Sequence, residues 1–435
     1  MRQPRTPPSR GRGSVAVDGL RSRSTKVILL LTQEYNSDGR PLPASRRTEM
    51  WCALLCCAGC QLACVAAPLR WLLRQDWPRL RQALYFPLAG QIRWEHATQR
   101  RLLLHRLRAA EVNLMTADER TVHGVWFDAG RVGRGTESRV EGVALPDTGE
   151  TAYDGPVVLL LHANAMVLDD MTDWVIYYLN LGCSVLCITF WGYPDPAEEH
   201  GTYVSAGSGT NEGSPLAEVA EDGDFCPTEL SLYLDAEAAL QHLLIDKRVP
   251  LERVLVHGLS IGGAAACALG VNHAGLRVTV DQTFASMHEV SAHVGRGLFE
   301  QIVITRAPRC ARGALLYMSP LLVWLASWLV VAMAFRRPAA AMHHANTCAP
   351  LDKLDNLGKV SRMRGDLFVL YAEHDEMMPS NFAERLLLAR YGADKPDLLA
   401  ARSLCVPGGH CSFFGDVPEL RSRYRTYLTQ QGFLH

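Results

Sequence analysis

Net charge is nearly absent from this sequence: 44 Lys and Arg stand against 45 Asp and Glu, leaving −1 at pH 7 over 435 residues. A chain without a basic excess offers no electrostatic footprint for nucleic acid. Also missing are internal repeats, a Walker loop, a dinucleotide fingerprint and a complete metal-ligand spacing. Those absences remove solenoids, P-loop chemistry, Rossmann redox chemistry and structural zinc from consideration, and no cofactor is expected. The Cys57-x-x-Cys60 pair stands alone, whereas a structural zinc needs two more ligands at matched spacing. No Asn-x-Ser/Thr sequon occurs and the thirteen cysteines follow no disulfide-scaffold pattern, which leans the chain toward the cytosol. What is present, 48% apolar residues, suffices for one large domain with an N-terminal appendage.

Strands and helices alternate through that domain. Apolar runs such as 156–161, 254–256, 276–280, 367–371 and 401–406 read as strands, and Thr228 to Lys247 reads as a helix with Tyr233, Ala236, Leu240, Leu243 and Leu244 on its apolar positions. The pattern predicts an α/β fold, a mainly parallel sheet with helices on both faces.

One strand-to-helix junction carries chemistry. His257-Gly258-Leu259-Ser260-Ile261-Gly262-Gly263 joins the strand from Val254 to a helix of small residues, Ala264 to Leu269. A Gly-x-Ser-x-Gly turn must be sharp enough to push one hydroxyl out of the backbone, so the positions two before and two after it cannot carry side chains. Gly258 and Gly262 meet that demand, and Ser260 is the candidate nucleophile; the plain alternative is an ordinary Gly-Ser turn in another α/β protein. A serine hydroxyl needs a base and an acid, in the chain order Ser, Asp or Glu, His. Asp375 follows the strand Leu367 to Tyr371, and His410 follows the strand Ala401 to Val406 in Pro407-Gly408-Gly409-His410. In a parallel sheet these loops share one edge with the Ser260 turn. Asp281, at the end of the strand Leu276 to Val280, is the rival acid. Each partner taken alone has a blander reading, a capping aspartate or a packed histidine.

Acyl chemistry also needs backbone N–H donors for an oxyanion, supplied by the residue after the nucleophile and by an early strand-to-helix loop. Ile261 is the first donor. Asn164, in His162-Ala163-Asn164-Ala165 after the strand Pro156 to Leu161, is the second, with Ala163 close behind. The alternative is a connection in which His162 packs or caps locally.

The ordered set of motifs resembles the α/β-hydrolase superfamily, in particular the membrane-associated α/β-hydrolase domain-containing serine hydrolases. His162-Ala163-Asn164-Ala165 resembles that family's His-Gly-Asn-Ala oxyanion loop, Trp191-Gly192-Tyr193 its Arg-Gly-Tyr loop, Leu232-Tyr233-Leu234-Asp235 its next helix and Asp281-Gln282-Thr283-Phe284 its Glu-Asn-Thr-Phe string. The match runs from about Leu104 to the C-terminus, a domain over 104–435. It implies an α/β-hydrolase fold with esterase, thioesterase or lipase-like activity through an acyl-enzyme. Alternatives are a catalytically inactive membrane scaffold or a serine peptidase on the same fold. Two departures stand out: Ala163 replaces a glycine, which is expected to restrict the oxyanion loop, and Trp191 replaces an arginine.

Other segments look different. An arginine-, Pro- and Ser-rich arm over 1–48 and a Gly-, Ser- and acid-rich insertion over 195–226 are expected to be disordered; the insertion leaves from the catalytic edge, where a mobile lid is the alternative. Between arm and domain, 49–75 contains Trp51 to Leu69, an uncharged stretch of about 19 residues, close to what a bilayer crossing needs. It is expected to span the membrane or to lie at its interface as an N-terminal anchor, with the catalytic domain on the cytosolic side. Cys52, Cys56, Cys60 and Cys64 recur at fourth positions along it, and with Cys57 they are candidates for S-acylation. The implied partners are therefore membrane lipid and an acyl ester or thioester substrate.

A second apolar run, Gly313 to Phe335, lies in a cap insertion over 285–350. Its length suits a span, yet a single crossing there would separate Ser260 from Asp375 and His410. With Pro320 interrupting it, the run reads as a monotopic cap helix or a re-entrant hairpin, with a greasy core helix as the alternative.

Overall fold

The computed structural model describes residues 104–132, 155–193, 227–307, 309–335 and 353–434, together with Tyr85, Arg100, Arg101 and Tyr153. By packing, the chain divides into two compact units, Met1–Gln75 and Asp76–His435, and the features below belong to the second. The expectations for 1–48, for 49–75 with its five cysteines, for 195–226 and for the end of the cap beyond 335 lie outside the described residues.

Eight strands form one sheet in the order β1-β2-β4-β3-β5-β6-β7-β8. They are β1 (Ala110–Met115), β2 (Thr121–Phe127), β3 (Val157–Leu161), β4 (Ser184–Thr189), β5 (Val254–Leu259), β6 (Arg277–Asp281), β7 (Leu367–Ala372) and β8 (Ser403–Val406). The β1–β2 and β2–β4 pairs are antiparallel. From β4 through β8 every pair is parallel. Every residue of β3, β4 and β5 is buried, as near-continuous apolar runs covered on both faces should be.

The two-residue period of a strand sends alternate side chains into two cores. Val157, Leu159 and Leu161 enter one, with α2 (Glu229–Gln241), α3 (Ile261–Asn272) and α7 (Asn381–Tyr391). Val158 and Leu160 enter the other, with α1 (Thr172–Asn180) and α9 (Pro418–Gln430). The small residues of α3 let that helix lie close to the sheet: a Cβ on Gly263 would meet Thr283 Oγ1 at 2.5 Å. Because β3 has β4 on one side and β5 on the other, chain order reverses between β3 and β5. In open parallel sheets the crevice at such a reversal, outside the strands' carboxyl ends, is where ligands bind.

The structure differs from the expected elements at three places. The helix from Glu229 stops being α-helical at Gln241 and closes with a π turn, His242–Asp246, in which the Lys247 N–H reaches the His242 carbonyl at 3.0 Å. Ala401 belongs not to a strand but to α8 (Pro396–Ala401), which opens with proline at its first turn, a position that needs no N–H. The cap is α4 (Met287–Arg306) followed by α5 (Arg309–Ala334), and α5 runs unbroken through Pro320, so no re-entrant break occurs there. Only Ser319, Val323, Ser327, Val331 and Ala334 of α5 are buried. That stripe, mostly at i,i+4 spacing, faces α4, where a Cβ on Gly295 would come within 3.3 Å of Val323 Cγ1. A helix buried along one narrow seam is not a core helix.

Residues upstream of Leu104 also pack onto this unit. Arg100 makes a two-pronged bond to buried Asp169, at 2.8 and 2.9 Å. The Tyr85 ring lies edge-on to Phe335, 5.0 Å between centroids.

Candidate active site

Ser260 sits between β5 and α3 with φ 51° and ψ −111°, a conformation that costs a residue with a Cβ about 1–3 kcal/mol. Surrounding contacts hold it there. The Ser260 N–H donates to the Asp281 carbonyl at 2.8 Å, and its own carbonyl accepts from the Gly263 N–H at 3.0 Å and from Thr283 Oγ1 at 2.6 Å. The flanking glycines are steric necessities. A Cβ on Gly258 would lie 2.3 Å from the Gly262 carbonyl oxygen, and one on Gly262 would lie 2.3 Å from the Leu161 oxygen.

The structure brings Ser260, His410 and Asp375 together. His410 Nε2 lies 3.1 Å from Ser260 Oγ, and His410 Nδ1 lies 2.8 Å from Asp375 Oδ2. In the neutral ring, Nδ1–H donating to the carboxylate leaves Nε2 to accept the serine proton. The other carboxylate oxygen, Asp375 Oδ1, accepts the Met377 and Met378 N–H groups at 2.9 and 2.8 Å, which fixes its plane. The Asp375 side chain is almost fully buried. Burial opposes a charge on His410, but its hydrogen bonds to Asp375 and to the Cys411 side chain outweigh that effect and push its pKa up to about 10.

Asp281 is elsewhere engaged. Its Oδ2 accepts from Trp174 Nε1 at 3.1 Å and lies 3.3 Å from His257 Nε2, while Tyr178 OH lies 2.7 Å from His257 Nδ1. The rival acid thus belongs to a buried polar group beneath the sheet edge, and it holds the nucleophile only through its backbone carbonyl.

The Ile261 N–H, leading α3, has no intrahelical carbonyl to bond. On the facing loop, the Asn164 N–H meets no acceptor among the described residues. Its side chain is tied at both ends, Nδ2 donating to the Tyr85 carbonyl at 2.7 Å and Oδ1 accepting from Tyr193 OH at 2.8 Å. His162 is a neutral brace beneath this loop: Nδ1 donates to the Ala163 carbonyl at 2.8 Å, Nε2 accepts from the Phe190 N–H at 3.0 Å, and burial, outweighing the bond to Ala163, lowers its pKa to about 4. Ala163 is not the left-handed residue of this loop. That residue is Ala165, at φ 66°. Trp191 stacks against Arg120, whose guanidinium carbon lies 4.9 Å from the ring centroid, and the Trp191 backbone N–H donates to Asp235 Oδ2 at 2.8 Å.

Gln282 stands in the Asp-Gln-Thr-Phe string, but that motif gave it no role. Its Nε2 donates to the Ser412 carbonyl at 2.8 Å and to Asp281 Oδ1 at 3.0 Å, and its Oε1 accepts the Ser412 N–H at 3.2 Å. It therefore clamps the loop that carries His410 and itself adopts φ 49°. Its role shows in the two bonds to Ser412, 130 residues away in the chain. Gln282→Leu is expected to lower kcat roughly 10- to 100-fold, the scale of a displacement of about 1 Å, with KM unchanged. Steady-state kinetics with an unaltered kcat would show the clamp to be dispensable. Among the described residues no cluster of three or more His, Cys, Asp or Glu could hold a metal ion.

No protein-family model matches the chain. Solved structures of similar architecture include an esterase from Pyrococcus furiosus, at 13% identity and TM-score 0.43, covering 79% of this chain and 94% of that one. An alpha-beta hydrolase from Vibrio vulnificus is 15% identical at TM-score 0.40, covering 84% of this chain and 94% of that one. A puromycin-hydrolyzing peptidase from Mycobacterium tuberculosis is 16% identical at TM-score 0.39, covering 75% of this chain and 40% of that one.

Proposed function

We propose that this chain is a membrane-associated serine hydrolase of the α/β-hydrolase superfamily that cleaves an ester or thioester of an acyl chain through an acyl-enzyme. The observation that carries the proposal is the continuous hydrogen-bond chain from Ser260 Oγ through both His410 nitrogens to Asp375, built on a turn that only glycines at 258 and 262 permit.

In the mechanism these groups support, His410 Nε2 takes the hydroxyl proton as Ser260 Oγ attacks the carbonyl carbon, and Asp375 stabilises the imidazolium. The Ile261 and Asn164 N–H groups receive the developing oxyanion, each donor worth about 3 kcal/mol at such a site. His410 then protonates the leaving alcohol or thiol. Water deprotonated by His410 attacks the acyl-enzyme, and collapse of the second tetrahedral intermediate returns Ser260 and releases the acid. No cofactor is required by these steps.

An acyl chain is favoured because membrane segments place such substrates nearby. Trp51 to Leu69 would anchor the chain, its cysteines would accept acyl groups, and the catalytic unit would face the cytosol. A panel of nitrophenyl esters and acyl thioesters of increasing chain length, run beside peptide amides, tests the substrate class. Turnover of esters and thioesters rising with chain length is expected. Amide cleavage alone would make the chain a peptidase, and no turnover of any of them by folded protein would favour a scaffold.

A further inference from the structure

We infer that the outer face of α5 is a docking surface for an anionic lipid leaflet, on which the cap rests without crossing. Tyr317, Leu321, Leu325 and Trp328 project outward from α5, Tyr317 84% exposed, and Trp324 stays half exposed with its ring edge-on to His288 of α4. Helices rarely leave so contiguous an aromatic and aliphatic face in water. Two tryptophans one turn apart suit the depth of lipid headgroups.

Crossing is excluded by connectivity. Ser260 precedes the cap, Asp375 and His410 follow it, and the three are hydrogen-bonded to one another. Among the described residues, a return path through the bilayer would have to be α4, which carries Glu289, Arg296 and Glu300. The inner side of α4 is instead fastened to the catalytic unit: Arg385 Nη2 donates to Glu289 Oε1 at 2.9 Å, and His293 Nε2 lies 3.2 Å from the carbonyl of Glu376, next to Asp375.

Charge selects the lipid. Exposed Arg306 ends α4 and exposed Arg309 opens α5, with Arg312 one turn on donating to the Ala307 carbonyl at 3.2 Å, and α5 contains no aspartate or glutamate. An amphipathic face with basic residues at its end binds headgroup regions of negative charge. The cap would thereby hold the mouth of the Ser260 site at the surface from which an acyl substrate comes.

Hydrogen–deuterium exchange of the full chain, with and without vesicles, gives a readout local to α5 and independent of any activity. Vesicles of phosphatidylcholine with phosphatidylserine should slow exchange in peptides within 313–328 and leave the buried helix α3 unchanged. Phosphatidylcholine vesicles should protect less. The double variant Leu321→Glu, Leu325→Glu should lose the protection while α3 exchanges as in the parent. Unchanged exchange in 313–328 when vesicles are present would overturn the inference, and so would protection that the double variant keeps. Equal protection by uncharged vesicles would overturn the choice of an anionic surface. Protection that grows with protein concentration without lipid would assign the face to a second copy of the chain.

Discussion

Ser260→Ala is expected to lower kcat for an acyl ester by about 10⁴- to 10⁶-fold, the range seen when a nucleophile is removed from a working triad. Alanine can occupy the same φ of 51° at the same cost as serine, and the backbone bonds to Asp281, Gly263 and Thr283 do not involve the hydroxyl. The loss would therefore report chemistry rather than folding. His410→Ala should cost about as much, and the double variant scarcely more, because the two groups act as a unit. Steady-state kinetics on the three proteins, with thermal unfolding as the control, checks this. A Ser260→Ala protein with more than a tenth of the parent's kcat would reject Ser260 as nucleophile.

Asp375→Asn should reduce kcat by roughly 10⁴-fold while the fold survives, because an amide can present its N–H to His410 Nδ1 and trap the wrong tautomer. It should also move the pH profile. The base works only as neutral imidazole, so activity rises with pH through the His410 pKa. In the parent the bonds to Asp375 and Cys411 place that limb above the ordinary imidazole value of 6.5, toward about 10 in the free protein. Losing the carboxylate removes one of the groups that raise it, so the limb of the residual activity shifts toward lower pH. Asp281→Asn behaves differently. It leaves the His410–Asp375 bond intact but disturbs buried partners at Trp174 and His257, costing about 1–3 kcal/mol of stability and less than tenfold in kcat. The paired pH profiles decide between the acids: a folded Asp281→Asn protein as inactive as Asp375→Asn would make Asp281 the acid.

Some of this was open to inspection in the sequence because the deciding features are local. Gly258 and Gly262 flank Ser260 by two positions, and Asp375 and His410 each follow an apolar run, so strand ends could be read as one edge once the sheet was taken as parallel. What stayed hidden depends on distant contacts. Gln282 acts on Ser412, Asn164 is tied to Tyr85 and Tyr193, and Tyr178 reaches His257 across 79 residues. No period or motif encodes such pairs. Ala163 shows a subtler limit: its methyl group suggested restricted backbone, but the residue needing positive φ in that loop is Ala165. For α5, composition allowed a span, a core helix or a cap, because hydrophobicity says that a face must be covered and not by what. The single buried stripe at Ser319, Val323 and Ser327 removes the core helix, and the bond between His410 and Ser260 removes the lone span.

The most direct test of Ser260 as the activated nucleophile is covalent labelling of the full chain by a fluorophosphonate, followed by intact mass and peptide mapping. A single adduct on Ser260, absent when Ser260 or His410 is replaced by alanine, is the predicted result. Folded protein that never acquires the adduct, or acquires it on another residue, would contradict it.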